Sequence, residues 1–265
     1  MSIIISVSNQ KGGVSKTVSS YNLASCLALN HNRKVLLADI DPQANLSEYL
    51  GYVPDGKPTM THLIMDVCMN GAVNPETVKS AVRYCEENDV DYIPADINLA
   101  GSETMMASAL SRETVLRRIL SREVTDEYDF VIIDCLPSLG TLLVNAISAS
   151  DRILIPVQTQ KFSMDGLSAL LNIYRQIKSS INPDVDILGI LPTMTEKTTV
   201  CRKAMTSLEE EYSELLFKTS ISKSVEAQKS CENRIPLCST ECKLGMEYAA
   251  LTTEVLERCR KQNLI

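Results

Sequence analysis

Six short apolar runs, rich in β-branched residues, recur along this 265-residue chain and are separated by longer stretches of mixed polarity. Each run is apolar at nearly every position, which favours strands buried on both faces of a parallel sheet over half-exposed antiparallel strands. The predicted strands span residues 3–8, 35–38, 90–94, 130–133, 153–157 and 187–191. The chain is therefore expected to fold around a largely parallel sheet.

The stretches between these runs have the periodicity of amphipathic helices, because their apolar residues recur every three or four positions. The predicted helices span residues 16–29, 113–121, 166–179, 199–211 and 246–260. Alternating strands and helices indicate the α/β class, with a doubly wound, mostly parallel sheet and helices on both faces. No Pro-, Gly- or Ser-rich segment interrupts the pattern, so we expect residues 1–265 to form a single domain.

Composition excludes several other classes of protein. The chain has 26 Lys and Arg residues against 33 Asp and Glu residues, and 45% of its residues are hydrophobic, which is typical of a soluble globular enzyme and excludes a disordered chain. No apolar run reaches the roughly 18 to 20 residues of a membrane span, and we expect a cytoplasmic protein. Its nine cysteines are scattered without metal-ligand spacing, which favours reduced thiols over a disulfide framework or a zinc site.

The segment after the first predicted strand has the parts of a phosphate-binding loop. It reads Ser-Asn-Gln-Lys-Gly-Gly-Val-Ser-Lys-Thr-Val over residues 8–18 and leads directly into the first predicted helix. Backbone N–H groups and the helix dipole at such a turn favour a bound phosphate. Lys16 would reach the β- and γ-phosphates, and the Thr17 hydroxyl would hold Mg²⁺. Because Gln10 and Ser15 replace both glycines of the G-x-x-x-x-G-K-[ST] pattern, a simple turn remains an alternative for the loop alone.

With Lys11, Gly12, Gly13 and Val14 preceding Lys16 and Thr17, the chain resembles the deviant Walker A ATPases, and within them the ParA/Soj family of plasmid and chromosome partitioning proteins. The resemblance continues in collinear blocks along nearly the whole chain. These blocks are LLADIDPQAN (36–45), IPADINLAG (93–101), YDFVIIDCLPSLG (128–140), PVQT (156–159), GLS (166–168), GILPTM (189–194) and ISKSVEA (221–227). Their joint occurrence is far more specific than any one of them.

The resemblance implies an ATPase of the P-loop type that uses ATP and Mg²⁺ and forms a homodimer on ATP. Lys16 matches the ordinary P-loop lysine. Lys11 matches a signature lysine that reaches the phosphates bound by the other subunit, like an arginine finger supplied in trans. Asp41 matches the residue that orients the attacking water, while Asp39 and Asp134 would act with Thr17 on Mg²⁺ or its waters.

The implied nucleotide-binding residues lie in the loop and in two later blocks. They are Lys11, Gly12, Gly13, Val14, Ser15, Lys16, Thr17, Val18, Met194, Ser222 and Ser224. Simpler interpretations remain for three of the catalytic and metal candidates: Lys11 as a solvated loop lysine, Asp41 before Pro42 as a turn residue, and Asp134 as the cap of the following helix.

Five positions depart from the family pattern. Ser15 stands for the usual Gly, Val18 for Thr and Leu136 for Pro, while Ser222 and Ser224 stand where Pro and Asn usually flank the adenine. If the loop requires a positive φ at residue 15, serine costs on the order of 1 kcal/mol there. Reduced ATP affinity or turnover is therefore expected, and base recognition is the least secure part of the site.

The resemblance also implies non-specific DNA binding and stimulation by a ParB-like centromere-binding protein. A net acidic chain needs a local basic patch for DNA, and residues 196–265 carry equal numbers of basic and acidic side chains. A solvated, charge-balanced face is the alternative. The predicted DNA contacts are Lys197, Arg202, Lys203, Lys223, Lys229 and Arg234.

Two other functions remain open. One is a hydrolysis-poor dimeric adaptor with a degenerate P-loop, which the substitutions at Ser15 and Val18 would permit. The other is a MinD-like ATPase that cycles on membranes. Because the last predicted helix is mixed in charge and lacks bulky aromatic residues, no stable membrane association is expected. The first strand begins at Ile3, so no N-terminal helix-turn-helix domain is expected, and the predicted location is the cytoplasm, in association with the nucleoid.

Overall fold

A sheet of seven strands forms the centre of the protein in a computed structural model that describes residues 2–160 and 164–265. The strands are β1 (Ile3–Val7), β2 (Val35–Asp39), β3 (Arg83–Cys85), β4 (Val90–Ile93), β5 (Phe130–Asp134), β6 (Arg152–Gln158) and β7 (Asp186–Thr193). Their order in the sheet is β3-β4-β2-β5-β1-β6-β7. All neighbours are parallel except β3 and β4, which are antiparallel.

Helices cover both faces of this sheet. They are α1 (Lys16–His31), α2 (Asn45–Tyr49), α3 (Met60–Asn70), α4 (Pro75–Ser80), α5 (Ser102–Met106), α6 (Val115–Ile119), α7 (Arg122–Thr125), α8 (Thr141–Ala149), α9 (Met164–Ser180), α10 (Thr199–Tyr212), α11 (Glu226–Asn233) and α12 (Lys243–Lys261). Short 3₁₀ turns occupy Ile97–Gly101, Arg112–Thr114 and Leu237–Ser239. The predicted doubly wound α/β fold is confirmed.

The two hydrophobic cores follow from the alternation of side chains along each strand. Ile3 and Ile5 belong to the core under α1 and α12, whereas Ile4 belongs to the core under α3, α6, α8 and α9. Successive side chains of a strand point to opposite faces of the sheet. Both faces of the central strands are buried, which explains why their sequences are continuously apolar.

All six predicted strands are present, but one further strand was not predicted. The edge strand β3 is three residues long and contains an arginine and a tyrosine, so it lacks the apolar run that identified the others. A tertiary contact holds it, because the Arg83 guanidinium forms an ion pair with Asp55 at 2.6 Å. Polar edge strands of this kind also hinder pairing with other chains.

The single helix predicted over residues 113–121 is wrong. This region contains the 3₁₀ turn Arg112–Thr114, then α6, and Ser121 is the N-cap residue of α7. Asn145 of α8 fixes the junction, since its side chain accepts a hydrogen bond from Leu116 N at 3.1 Å and donates one to the Arg112 carbonyl at 2.8 Å. This tertiary contact, which no local pattern reveals, sets where α6 begins.

The carboxyl ends of β1, β5 and β2 meet at one edge of the sheet. Val7 is paired with Asp134, and Asp134 is paired with Asp39. Adjacent strands lie about 4.8 Å apart, so the two carboxylates are neighbours, and the loop that follows β1 begins beside them. In open α/β sheets, ligands bind in a crevice outside this edge.

Within the described residues, no helix combines the length and apolar character that crossing a membrane requires.

Candidate nucleotide and metal site

The loop between β1 and α1 contains two residues in the left-handed region. Gly13 has a φ of 72°, and Ser15, the N-cap residue of α1, has a φ of 67° and a ψ of 27°. The loop therefore does require a positive φ at residue 15, and serine occupies a backbone conformation that normally favours glycine. The Ser15 hydroxyl makes no capping hydrogen bond. The first N–H groups of α1 therefore depend on the backbone or on a ligand.

Lys16 is the first residue of α1, and its side chain folds back into the loop. Its ammonium group donates a hydrogen bond to the Lys11 carbonyl at 3.0 Å, and the side chain is buried. Burial lowers the pKa of Lys16, while the carboxylates of Asp134 and Asp41 oppose that shift. A buried cation inside a loop at a helix N-terminus is suited to bind an anion.

Contacts with two strands, β6 and β7, hold the loop in place. The Asn9 side chain accepts a hydrogen bond from Lys11 N at 3.0 Å and donates one to the Pro156 carbonyl at 2.7 Å. On the other side, the Thr193 hydroxyl at the end of β7 donates to the Val14 carbonyl at 3.1 Å. The loop is therefore fixed at both of its flanks before any ligand binds.

Asp134 is fully buried at the end of β5, and only one of its oxygens has a hydrogen-bond partner. Ser20 of α1 donates to its Oδ1 at 2.7 Å, whereas Oδ2 is buried without a partner among the described residues. Burial and the neighbouring Asp39 raise the pKa of Asp134 to about 7, and the hydroxyls of Ser20 and Thr17 act in the opposite direction. The helix-cap alternative for Asp134 is wrong, because the N-cap residue of α8 is Gly140.

Asp39 is also buried, and it holds the segment that follows β2. Its Oδ2 accepts hydrogen bonds from the Ser47 amide at 2.9 Å and the Ser47 hydroxyl at 2.6 Å, and its Oδ1 accepts one from Asp41 N at 3.0 Å. Burial raises the pKa of Asp39 to about 6. Asp39 thereby connects the strand end to α2 as well as to the candidate metal site.

Asp41 lies at the mouth of the site and is 8% exposed. Its Oδ1 accepts a hydrogen bond from Gln43 N at 2.9 Å, and its carbonyl accepts one from Ala44 N at 2.8 Å. The turn predicted at Asp41 is confirmed, and one carboxylate oxygen supports it. The turn also fixes the direction of the side chain, which is compatible with a catalytic role.

Lys11 is half-buried, and its side chain lies against the beginning of α9. A Cβ placed on Gly166 would come within 3.3 Å of Lys11 Cε and 2.9 Å of Gln10 Nε2. Glycine at this position therefore makes room for both side chains of the loop.

The donor set fits a magnesium ion. The described residues contain no group of three or more His, Cys, Asp or Glu side chains able to hold a metal, but Mg²⁺ takes only one or two carboxylates and completes its shell with water and phosphate oxygens. The unpartnered Oδ2 of Asp134, with Asp39 beside it and Thr17 on the adjoining helix, supplies that number of oxygens. A cation there would also relieve the repulsion between the two carboxylates.

The later nucleotide-binding candidates form a paired segment, which we define as residues 194–195 and 221–224. Met194 has a φ of 50°. Thr195 N donates to the Ile221 carbonyl at 3.0 Å, and Lys223 N donates to the Thr195 carbonyl at 3.1 Å. Ser224 accepts a hydrogen bond from Glu226 N at 3.1 Å at the start of α11. Because Thr193 contacts Val14, the paired segment is directly connected to the loop.

All six predicted DNA contacts are exposed, but the structure divides them into two groups. Four lie at or near the start of α10: Lys197 and Arg202 line one cavity, Lys203 follows, and Lys223 forms an ion pair with Glu196 at 3.2 Å. The other two belong to α11 and its C-cap. They are Lys229, paired with Glu226 at 2.9 Å, and Arg234, whose guanidinium lies against Gly51 after α2.

Sequence reasoning missed three residues that support the site: Asn9, Ser20 and Ser47. Each contacts a predicted residue or the loop through a short hydrogen bond. Asn9 lies within the quoted loop segment and could have been singled out. Ser20 lies in α1 and Ser47 in α2, and nothing in their spacing distinguishes them from other serines in helices.

Comparison with known proteins agrees with this geometry. Residues 2–187 match a family described as an AAA domain. The sporulation initiation inhibitor protein Soj of Bacillus subtilis is 37% identical over 89% of this chain and 90% of its own length. The chromosome partitioning protein ParA of Myxococcus xanthus is 33% identical over 96% of this chain and 88% of its own. Among solved structures, cobyrinic acid a,c-diamide synthase of Mycobacterium smegmatis with a bound ATP analogue and magnesium has a TM-score of 0.83 at 29% identity, covering 99% of this chain and 97% of that one.

Proposed function

This chain belongs to the Soj/ParA family of partitioning ATPases, and from that premise we propose that it uses ATP and Mg²⁺ to control its own binding to DNA. ATP joins two copies, the dimer binds DNA without sequence preference, and hydrolysis stimulated by a ParB-like partner releases it. The observation that carries the proposal is the register of the sheet edge, which aligns Asp39 and Asp134 beside the loop containing Lys16.

ATP binds with its phosphates against the backbone of residues 11–18. Lys16 is positioned to exchange its hydrogen bond with the loop carbonyl for one with a phosphate oxygen. Thr17, Asp39 and Asp134 would hold Mg²⁺, which supplies charge neutralisation on the phosphates. Val18 is half-buried and has no hydroxyl to offer the α-phosphate.

Hydrolysis requires a water in line with the γ-phosphate and cations on the charge that develops. Asp41 holds that water, because it stands at the mouth of the site with one oxygen already fixed by the turn. Lys16 supplies the first cation, and Lys11 of a second copy supplies another. The requirement for the second lysine makes hydrolysis depend on dimerisation.

The central experiment measures ATP turnover with and without DNA and a ParB-like partner. An Asp41→Ala protein should still bind ATP and retain DNA but should not hydrolyse, and normal hydrolysis by this variant would contradict the role of Asp41. Asp184→Ala, at an exposed aspartate between α9 and β7 and away from the carboxyl edge of the sheet, is the control for turnover.

Catalysis across the dimer has its own test, by complementation. Neither Lys11→Ala nor Asp41→Ala should hydrolyse ATP alone. In a mixed dimer, however, the Lys11→Ala protomer keeps Asp41 while its partner provides Lys11, so one complete site forms. An equimolar mixture should therefore recover a fraction of wild-type turnover. A mixture as inactive as its components would show that Lys11 acts within its own chain, and normal hydrolysis by Lys11→Ala alone would show that it has no catalytic role.

DNA binding is assigned to the exposed basic residues after β7. The chain carries a net charge of −7, so retention on DNA depends on local clusters and should weaken steeply between about 50 and 200 mM salt. Lys203→Glu should weaken DNA retention without changing ATP binding. Lys79→Glu, at an exposed lysine of α4 outside the set, should leave both unchanged. Equal effects of the two variants on DNA retention would contradict the assignment of DNA binding to the basic residues after β7.

One observation favours the hydrolysis-poor adaptor as a second candidate. Ser15 occupies a left-handed conformation in the proposed phosphate-binding loop, where the usual glycine would carry no Cβ strain. If ATP dimerises the protein but turnover stays undetectable with DNA and partner present, the adaptor function is the correct one.

The MinD-like alternative is disfavoured by the packing of α12. Its apolar residues Leu251, Val255 and Cys259 are fully buried in the core shared with α1. A helix whose apolar face is already covered has little surface to insert into lipid. Co-sedimentation of the ATP-bound protein with anionic vesicles would restore this alternative.

A further inference from the structure

Two cysteines from distant parts of the chain are in contact beside α1. Cys26 lies in the middle of this helix and is fully buried, and its thiol donates a hydrogen bond to the sulfur of Cys238. Cys238 lies in the 3₁₀ turn Leu237–Ser239, between α11 and α12, and is half-buried. All nine cysteines are free thiols, so this pair is a dithiol. Of its two members, only Cys238 is accessible to solvent.

The turn that carries Cys238 is held against α1 and α12 by its backbone. The Asn22 side chain, one helical turn before Cys26, accepts a hydrogen bond from Leu237 N at 2.9 Å. On the other side, a Cβ on Gly245 of α12 would collide with the Leu237 carbonyl, so glycine allows the turn to pack closely against this helix. These contacts fix the position of the residue that follows Leu237, which is Cys238.

The contact makes the two thiols unequal. The hydrogen bond from Cys26 lowers the pKa of Cys238, while burial opposes this shift and hydrogen bonds from Ser239 support it. The same hydrogen bond, together with burial, raises the pKa of Cys26. Because the thiolate is the nucleophile in thiol oxidation, Cys238 reacts first. Cys26 is then the neighbouring thiol that can resolve the oxidised product.

We propose that Cys26 and Cys238 form a reversible redox site whose oxidant is a peroxide. The Cys238 thiolate attacks one oxygen of hydrogen peroxide, the O–O bond breaks, and the hydroxide that leaves takes up a proton to form water. The sulfur of Cys26 loses its proton, attacks the sulfur of the Cys238 sulfenic acid and expels the second oxygen as water. Two thiols and one peroxide thus give one disulfide and two waters, and a dithiol reductant reverses the reaction.

The disulfide would connect two segments that only non-covalent contacts join in the reduced protein. One is α1, which begins with Lys16 and follows the proposed phosphate-binding loop, and the other is the turn between α11 and α12. A covalent link between them suppresses local opening of the turn away from α1. The site requires neither nucleotide nor DNA, so it goes beyond the proposed function and can be tested without it.

The test is mass spectrometric mapping of the thiols in the full-length reduced protein after treatment with hydrogen peroxide, alkylation and digestion without reductant. Wild type should lose two thiols per chain and yield one linked peptide pair that contains Cys26 and Cys238. Dithiothreitol should restore both thiols. Cys26→Ala should yield no linked pair and leave a sulfenic acid at Cys238, which the diketone dimedone traps. Cys238→Ser should keep the thiol of Cys26 reduced.

Cys242→Ser is the matched control, because Cys242 is also half-buried and lies four residues beyond Cys238. The Cys242 sulfur accepts a hydrogen bond from Gly245 N at 3.2 Å at the start of α12, and a serine hydroxyl can provide the same cap. This variant should therefore form the disulfide as wild type does. Thermal unfolding of each reduced variant verifies that it is folded.

The wild-type map decides the proposal even if a variant fails to fold. A link between Cys238 and Cys242, or a link between two chains, would overturn it. Oxidation of other thiols while Cys26 and Cys238 stay reduced would overturn it as well. So would a sulfenic acid at Cys238 that never forms the link, because the two sulfurs would then be unable to approach to the roughly 2.05 Å of an S–S bond.

Discussion

Replacing Ser15 with glycine should stabilise the protein, against the usual direction of a glycine substitution. Ser15 has a φ of 67°, where a residue with a Cβ loses roughly 1–2 kcal/mol relative to the right-handed region. Its hydroxyl makes no capping hydrogen bond that the substitution would remove. The greater freedom of glycine in the unfolded chain offsets about 0.5–1 kcal/mol of this gain. The expected net stabilisation is about 0.5–1 kcal/mol.

Urea unfolding without nucleotide or Mg²⁺ measures this difference directly, because no ligand binding then contributes to stability. The thermal midpoint should rise by about 1–3 °C for a chain of this size. Ser15→Ala is the first control, because it removes the hydroxyl but keeps the Cβ and should bring no gain. Ser111→Gly is the second. Ser111 also has a positive φ, 52°, and no side-chain cap, so it should gain a similar amount without changing nucleotide affinity.

The affinity for Mg·ATP provides an independent reading of the same strain. If phosphate binding increases the strain at Ser15, Ser15→Gly should bind Mg·ATP more tightly and Ser111→Gly should not. A Ser15→Gly protein no more stable than Ser15→Ala would refute the argument, because the Cβ would then be accommodated without strain.

Two further predictions concern the framework around the site. Arg258→Met should lower the free energy of urea unfolding by about 2–3 kcal/mol, because the half-buried guanidinium donates to the carbonyls of Leu188, Leu215 and Leu216 and pairs with Glu254 at 3.0 Å. Arg260→Met, at an exposed position of the same helix, should change it by less than about 0.5 kcal/mol. Gly140→Ala should lower the thermal midpoint, because the Glu103 carboxylate that caps the first turn of α8 occupies the space of the new methyl group. Gly101→Ala, where nothing lies within 4 Å, should be neutral, and equal effects of the two alanines would contradict the capping role.

The sequence was sufficient to predict the central strands because their burial on both faces leaves a continuous apolar run. It was not sufficient for β3, whose residues are polar and whose place depends on the pairing of Arg83 with Asp55. The same distinction applies to α6, because its start depends on Asn145 from a distant helix. Local sequence patterns indicate which residues are buried. Contacts between segments that are distant along the chain leave no such local pattern.

The candidate site shows a similar division. Motif residues at strand ends could be located from sequence, because parallel strands bring their carboxyl ends to one edge. The hydrogen-bond partners of these residues could not be predicted from sequence. That Asp134 has an unpartnered oxygen, or that Asp39 is shared with Ser47, follows from the register of β1, β5 and β2. The register of neighbouring strands is a property of the folded structure, and a single sequence does not reveal it.

The buried carboxylates of Asp39 and Asp134 couple ligand binding and stability to protonation. The direction of the pH dependence follows from their pKa values. The pKa values of Asp39 and Asp134 are raised from 3.8 to about 6 and about 7, so between about pH 4 and pH 7 the folded protein holds protons that the unfolded chain has released. Without Mg²⁺, the free energy of unfolding should therefore fall as pH rises through this window. Asp134→Asn, which has no proton to lose, should reduce that fall when urea unfolding is measured at pH 5 and pH 8 in EDTA.

Mg·ATP should reverse the effect, because a cation on these oxygens favours their ionised form. Binding near pH 6 must then release protons, which calorimetry detects as an apparent binding enthalpy that varies with the ionisation enthalpy of the buffer. The buried Lys16 acts in the opposite direction, because burial lowers its pKa and a bound triphosphate would raise it. Proton release at pH 6 that disappears in Asp134→Asn would connect the unpartnered oxygen to the metal. If the binding enthalpy of wild type does not depend on the buffer, the two carboxylates are already ionised before Mg·ATP binds. Contacts other than the metal would then offset the effect of burial on their pKa values.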